Sequence, residues 1–192
     1  MKRCDWCGED EQYQHYHDTV WGRPEYNNQQ LFEKLCLDGQ QAGLSWITIL
    51  RKQRNYQEAF FDFDPVKMAA MTDNDCLKQM ENTGIVRNKL KIESLRRNAR
   101  AYIALEESGQ SFSDFIWSFT DGKTIVNQCA TMADIPTETE NSRAMSKALK
   151  KLGFNFVGPT ICYAFMQAVG IINDHLVGCH VYEETKALAN KR

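Results

Sequence analysis

The sequence has 192 residues, of which 43% are hydrophobic and 25% charged, and its formal net charge is −2. This balance is typical of a globular protein, and the length predicts one domain spanning residues 1–192. No apolar run approaches the roughly 20 residues that cross a bilayer, and no apolar leader core follows the polar first residues. We therefore expect a cytoplasmic protein with no membrane partner, and a monomer as the default state.

Apolar residues at helical spacing recur along most of the chain and predict an all-α fold. The predicted helices cover residues 28–42, a segment that begins at Asp64–Pro65, a segment capped by Thr72, and residues 88–107, 111–117, 140–152 and 159–169. Asp and Thr are favoured helix N-caps, and proline is favoured in the first turn. Only residues 123–126 are predicted to be extended.

Residues 75–100 form the pattern helix, glycine-containing turn, basic helix, with the turn at residues 83–87. This pattern is typical of a helix–hairpin–helix, in which backbone N–H groups and a helix start face a phosphate. Gly84, Arg87 and Lys89 are the candidate DNA contacts. Six basic residues oppose one acid between residues 84 and 100, and residues 143–151 add four more bases. The alternatives are an ordinary turn between helices and solvated basic helix faces.

Seven Cys and four His include two clusters at opposite ends of the chain. His175 and Cys179 are four residues apart, and Cys4 and His17 supply the same ligand types from the other end. A Cys2His2 set would bind one structural zinc ion and join the chain ends. The spacing leaves Cys7 as a competitor for Cys4 or His17, and the terminal His residues could simply be exposed.

From Gln40 to Trp46 the chain reads QQAGLSW, and the sequence here resembles the bacterial 3-methyladenine DNA glycosylase I family. The resemblance continues at Tyr16–Asp18, Phe63–Lys67, Ser146–Lys151 and Asn173–His175, so that it covers nearly the whole chain. It implies a two-lobed, all-α member of the helix–hairpin–helix glycosylase superfamily. It also implies a zinc lobe made from residues 1–25 and 170–185, with Cys4, His17, His175 and Cys179 as the ligands. In a bacterial cell, such an enzyme would be associated with the nucleoid through DNA.

The resemblance further implies a pocket for a flipped-out base. Tyr13, Tyr16 and Trp46 match the family's pocket residues, and Trp6 and Trp21 are expected as further walls, because aromatic faces attract a cationic base. Asp38 stands where the family usually has Glu, so its carboxylate is shorter by one methylene. We expect Asp38 and Trp46 to act on the reacting base. The alternatives are core packing for the aromatic residues and a loop-bracing role for Asp38.

Gly43 and Leu44 match the segment that in the family approaches the gap left by the flipped nucleotide. Leu44 is then a candidate wedge, unless it is a core residue. The implied activity is monofunctional: hydrolysis of the N-glycosidic bond of 3-methyladenine in alkylated double-stranded DNA, which leaves an abasic site. The alternative functions are a non-catalytic, zinc-containing protein that binds DNA lesions, and a zinc hydrolase with an open metal position.

Overall fold

A computed structural model describes residues 1–189 of the chain, so positions 190–192 of the predicted domain lie outside the described residues. The described part is mostly helical. Its α-helices are α1 (Glu11–Thr19), α2 (Asn28–Gln41), α3 (Trp46–Leu50), α4 (Gln53–Ala59), α5 (Pro65–Ala70), α6 (Asp73–Gln79), α7 (Lys89–Glu107), α8 (Phe112–Trp117), α9 (Glu140–Lys151), α10 (Pro159–Ala168) and α11 (Tyr182–Leu188). The strands are β1 (Ile125–Val126) and β2 (Ile172–Asn173).

The helix starts predicted from capping residues are confirmed. The Asp64 side chain accepts hydrogen bonds from the first backbone amides of α5, where Pro65 is the first residue. Thr72 and Asp75 bond reciprocally at the start of α6. Each cap satisfies backbone N–H groups that the helix itself leaves without partners.

The two strands pair in parallel, with Ile125 opposite Ile172 and Val126 opposite Asn173. Only β1 falls in a segment that the sequence predicts to be extended. The pairing holds residues 172–173 just ahead of Asp174 and His175, and it thereby fixes the C-terminal half of the cysteine–histidine cluster.

The segment between α6 and α7 differs from the short turn that the sequence predicts. It runs over residues 80–88, because α6 ends at Gln79 and α7 begins only after its N-cap Asn88. The Gly84 amide donates to Asn82 Oδ1 at 2.9 Å. A Cβ atom at Gly84 would lie 2.9 Å from Asn55 Cγ, so a glycine is needed here for close packing against α4.

The basic run at the start of α7 does not form one solvated face. Lys91 is buried. Arg96 binds the carbonyl of Met71 and the carboxylate of Asp73, and Arg100 binds the carbonyl of Ala69. Arg96 and Arg100 thus hold α7 against α5 and the start of α6. Arg87 and Lys89, by contrast, are exposed.

Helix α2 lies at the centre of the fold and packs against α3, α7, α8 and α10. The N- and C-terminal segments meet beside it: His180 N–H donates to the Lys2 carbonyl at 2.9 Å, and Glu25 N–H donates to the Val169 carbonyl at 3.1 Å. Within residues 1–189, none of the helices has the length and apolar character needed to span a membrane.

Candidate functional site

Four buried side chains from the two ends of the chain converge on one point. The ligand atoms of Cys4, His17, His175 and Cys179 all lie within 4.8 Å of one another. Cys179 Sγ is 3.5 Å from His17 Nε2 and 3.8 Å from His175 Nδ1, and Cys4 Sγ is also 3.8 Å from His175 Nδ1. Tetrahedral ligands about 2.0–2.3 Å from a zinc ion would be separated by similar distances. The cluster can therefore hold a metal.

The outer nitrogens of both histidine rings are already engaged. His17 Nδ1 lies 2.7 Å from Asp18 Oδ1, and His175 Nε2 lies 3.0 Å from the Trp21 carbonyl. These acceptors place the protons on the outer nitrogens and leave the inner nitrogens as lone-pair donors toward the centre. That is the arrangement found around metal-binding histidines. Arg3 forms a bidentate ion pair with Asp18, which lowers the pKa of Asp18 to about 2 against the opposing effect of burial.

The competing residues lie outside the cluster. Cys7 is buried, but its thiol donates to the Cys4 carbonyl at 3.2 Å. His15 bonds to Thr19 on the surface of α1, and His180 bonds to the Lys2 carbonyl. The geometry thus selects Cys4 rather than Cys7.

A cavity of about 340 Å³ lies next to this cluster. The residues predicted to read the base all line it: Trp6, Tyr13, Tyr16, Trp21, Asp38 and Trp46. The side chains come from α1, α2, α3 and the loops beside α1. The residues predicted to form the base pocket therefore line one concave site rather than being scattered through the core. A wider depression between the start of α2 and α8 is much more open and contains none of the predicted site residues.

The cavity and the metal cluster share a wall of aromatic rings. Trp6 contacts Trp21 and Tyr13, with ring centroids 5.0 Å apart in both pairs, and it contacts His17 at 5.2 Å. The Trp21 ring lies edge-on to the His175 ring at 4.6 Å. Tyr16 and His17 are adjacent on α1, so one helix contributes to both sites. Complete burial raises the pKa of Tyr16 well above its ordinary value, and its ring remains a neutral surface.

Asp38 lies inside α2, and its carboxylate is 2% exposed. Its partner is Lys34, one helical turn earlier, whose ammonium forms an ion pair with Asp38 Oδ1. Burial raises the pKa of Asp38 and lowers that of Lys34, and each partner opposes the shift of the other. Gly39 lies within α2, so no loop precedes it, and the recorded bond of Asp38 is to a side chain of the same helix rather than to a loop.

Three residues that line the cavity each have a buried polar atom without a hydrogen-bond partner in the described part of the chain. The atoms are Asp38 Oδ2, Trp6 Nε1 and Trp46 Nε1. A buried polar atom without a hydrogen bond costs about 1–3 kcal/mol. Unpaired acceptors and donors that border one cavity are typical of a site that binds a polar, planar ligand.

The candidate DNA contacts lie on two loops. Gly43 has φ +75°, a conformation that favours glycine, and Leu44 follows it with 41% of its surface exposed. Leu44 is thus not a core residue. Arg87 and Lys89 are exposed at the start of α7, where Lys89 lies 3.9 Å from Glu93.

Lys91, in the first turn of α7, joins this helix to the end of α2, directly before the loop that carries Leu44. Its buried ammonium donates to the carbonyls of Gln40 and Ala42 at 2.7 Å each, and Gln40 Nε2 donates back to the Lys91 carbonyl. A cation at the last carbonyls of α2 also complements the negative end of the helix dipole. The segment before Leu44 is therefore held to the first turn of α7.

Other residues that line the cavity were not identified from the sequence. They are Lys34, Gln41, Met132, Ile135, Pro136, Thr137, Thr160, Tyr163, Ala164, Gln167 and Ala168. Most belong to the 132–137 loop and to α10, which are distant in sequence, and no local pattern identifies them. Lys34 is the exception, because its spacing of four residues from Asp38 places both on one face of a helix.

Comparison with known proteins agrees with this site. A family model described as methyladenine glycosylase matches residues 6–182. The chain is 55% identical over 177 residues to a DNA-3-methyladenine glycosylase of Haemophilus influenzae, covering 92% of this chain and 96% of that protein. It is 52% identical over 186 residues to DNA-3-methyladenine glycosylase 1 of Escherichia coli, covering 97% and 100%.

Solved structures agree as well. A crystal structure of a 3-methyladenine DNA glycosylase I matches with a TM-score of 0.93 and 53% identity, over 93% of this chain and 98% of that one. A variant of such an enzyme in complex with 3-methyladenine matches with a TM-score of 0.91 and 39% identity, over 94% and 97%. On its sequence and on its structure, this chain belongs to the methyladenine glycosylase family.

Proposed function

We propose that this chain is a base-excision glycosylase that hydrolyses the N-glycosidic bond of 3-methyladenine in alkylated DNA. The observation that carries the proposal is one cavity that six aromatic side chains and Asp38 line together. A glycosylase must hold a flipped base in such a pocket. Membership of the family supports the same activity.

Methylation at N3 makes adenine in DNA cationic, and this charge separates the lesion from normal adenine. Aromatic ring faces attract cations. Asp38 Oδ2, which lacks a partner within residues 1–189, is available to accept a hydrogen bond from the exocyclic amine. Asp38 and Trp46 are therefore the residues that we propose to contact the reacting base, with Tyr13, Tyr16, Trp6 and Trp21 as the walls.

The positive charge also weakens the glycosidic bond, because the base departs as a neutral purine. The sugar is left as an oxocarbenium-like cation, which water captures to give an abasic site. Strong acid catalysis is not needed for this step. The protein contributes orientation, exclusion of water around the base and a fixed electrostatic environment.

The exposed residues near the cavity suit a DNA partner. We infer that Leu44, supported by the turn at Gly43, enters the space that the flipped nucleotide leaves. We infer that Gly84, Arg87 and Lys89 contact phosphates in a helix–hairpin–helix arrangement, with a longer connection than the sequence predicts. The proposed substrate is double-stranded DNA, and the enzyme is proposed to act as a monomer.

We also propose that Cys4, His17, His175 and Cys179 hold one zinc ion. Two thiolates and two imidazoles form a common structural donor set, and four protein ligands fill the tetrahedral shell. When bound, the ion would hold the N- and C-terminal segments together as one lobe. It would thereby fix α1, which carries Tyr13 and Tyr16 into the cavity.

The decisive experiment incubates the protein with double-stranded DNA treated with a methylating agent and separates the released bases by chromatography. We expect release of 3-methyladenine and formation of abasic sites without strand cleavage. Asp38→Asn serves as the site control and should release much less.

Because Lys34 lies in the cavity, the same reaction should include sodium borohydride. We expect no covalent protein–DNA adduct, as required for a monofunctional enzyme. Tight binding of methylated DNA without base release would instead support the non-catalytic lesion-binding protein.

A further inference from the structure

The base cavity contains a cation of its own. Lys34 Nζ lies 3.8 Å from the centre of the Trp46 ring, within the range of a cation–π contact. The same ammonium forms the ion pair with Asp38. The Lys34 side chain is 15% exposed, so this cation is held largely out of water.

Lys34 thus interacts with both groups that a cationic base would contact, the ring of Trp46 and the carboxylate of Asp38. The aromatic face of Trp46 is covered by an ammonium, and one carboxylate oxygen of Asp38 is bound to it. The ionised pair has a summed charge of zero. The other ionisable groups that line the cavity are Tyr13, Tyr16 and Tyr163. Burial raises the pKa of each of these phenols, so they add no charge near neutral pH.

We propose that Lys34 is a specificity-determining residue of the base pocket, which neutralises Asp38 and lowers the preference of the pocket for cationic over neutral purines. This inference rests on the proposed glycosylase function. A cationic base that enters must either displace the ammonium from Trp46 or lie beside a like charge. A neutral purine can lie beside the ammonium without charge repulsion.

The size of the effect follows from Coulomb's law. Two unit charges about 6 Å apart at an effective dielectric constant near 20 interact by roughly 3 kcal/mol, which is about a hundredfold in affinity. Rearrangement of the Lys34 side chain and residual water reduce this. Removing the charge should therefore raise the ratio of cation affinity to neutral-base affinity by on the order of ten- to a hundredfold.

The test measures binding of two small probes by quenching of tryptophan fluorescence or by calorimetry at pH 8. One probe is the 3,9-dimethyladeninium ion, which keeps its charge because N9 is alkylated, and the other is neutral 9-methyladenine. We compare wild type with Lys34→Met, which retains the length of the side chain without its charge. The alkaline pH favours the ionised form of Asp38, whose pKa burial raises.

Three further variants make the comparison specific. Lys34→Arg keeps the charge and should keep the wild-type ratio. Asp38→Asn leaves Lys34 unpaired and should lower the ratio, which tests the same charge balance even if Lys34→Met folds poorly. Lys67→Met is the matched control, because the exposed Lys67 lies 3.3 Å from the partly exposed Asp64, in a lysine–aspartate pair away from the cavity.

A Lys34→Met protein with a wild-type melting temperature and an unchanged ratio would overturn the inference. An equal change in binding affinity for both probes would also overturn the inference, because it would indicate that the substitution alters the shape of the pocket rather than its charge. Wild type that binds both probes but releases no base from methylated DNA would contradict the proposed function alone, and the ratio would still test Lys34. Failure of wild type to bind either probe would contradict both.

Discussion

The metal cluster and the base cavity share an aromatic wall, but they differ in whether their buried polar groups have hydrogen-bond partners. In the cluster, both outer histidine nitrogens have acceptors, and the four ligand atoms face one another. In the cavity, two indole N–H groups and one carboxylate oxygen have no partner within residues 1–189. The cluster is thus organised by the protein for a small ion, whereas the cavity keeps hydrogen-bonding capacity for a larger ligand.

This difference predicts that the cluster contributes mainly to stability and the cavity mainly to function. Satisfied, buried groups stabilise the fold, and groups left unpaired cost stability that ligand binding returns. Substitutions in the cluster should therefore act mainly on folding. Substitutions in the cavity should act mainly on base recognition.

The largest effect is expected in the cluster. Cys179→Ser should abolish stoichiometric zinc and lower Tm by about 10 °C or more, because metal-binding free energy becomes folding free energy in such sites. Elemental analysis and thermal unfolding measure both quantities.

Cys7→Ser is the matched control, since Cys7 is also buried but its thiol donates to the Cys4 carbonyl and lies outside the cluster. It should retain zinc. A zinc-free wild type, or a Cys179→Ser protein that melts like wild type, would remove the distinction between the two regions.

The next effect is expected in the cavity. Asp38→Asn should lower single-turnover excision of 3-methyladenine by about ten- to a hundredfold, because a hydrogen bond to a charged group is worth roughly 1.5–3 kcal/mol. Asp38→Glu should retain or raise excision, since it restores the longer reach usual in the family. Full activity of the Asn variant beside a crippled Glu variant would contradict base reading by Asp38.

A smaller effect is expected at Leu44, outside both buried regions. Leu44→Ala should change stability by less than about 0.5 kcal/mol, because the side chain is exposed in the protein alone. Excision from duplex DNA should fall about five- to tenfold through loss of apolar contact in the gap. Binding of the small base probes should be unchanged, and a loss there would place Leu44 in the pocket instead.

The smallest effect is expected at the exposed bases. Arg87→Ala and Lys89→Ala should each weaken binding of damaged and undamaged duplexes equally, and the slope of log affinity against log salt should decrease by about one. Lys67→Ala provides a control for the loss of one surface charge. A loss confined to damaged DNA would contradict a phosphate-binding role.

Local signals predicted seven of the eleven α-helices in residues 1–189, because caps and periodicity act within a few residues, whereas α1, α3, α4 and α11 were not predicted. Asp64, Thr72 and Ser111 are N-caps as expected. Strand β2 was missed, since two residues are too few to show a period and the pairing partner lies far away in the chain. The turn around Gly84 was predicted too short, because its conformation depends on packing against Asn55.

The candidate site was predicted through family resemblance more than through local pattern. Resemblance identified the aromatic walls and Asp38, and the structure brings them together. The resemblance did not indicate a role for Lys34, although its spacing of four residues from Asp38 places both side chains on one face of a helix. The significance of this pair depends on which helix face meets the cavity, and only tertiary structure determines that.

The ammonium of Lys91 has a mechanical consequence for DNA. Through the carbonyls of Gln40 and Ala42 it sets the distance between the loop that carries Leu44 and the start of α7. If Leu44 and Lys89 contact DNA as proposed, these hydrogen bonds fix the separation of the two contact points. We then expect the nucleic acid to carry the deformation that accompanies base flipping, so that sequences or lesions that bend easily are the better substrates.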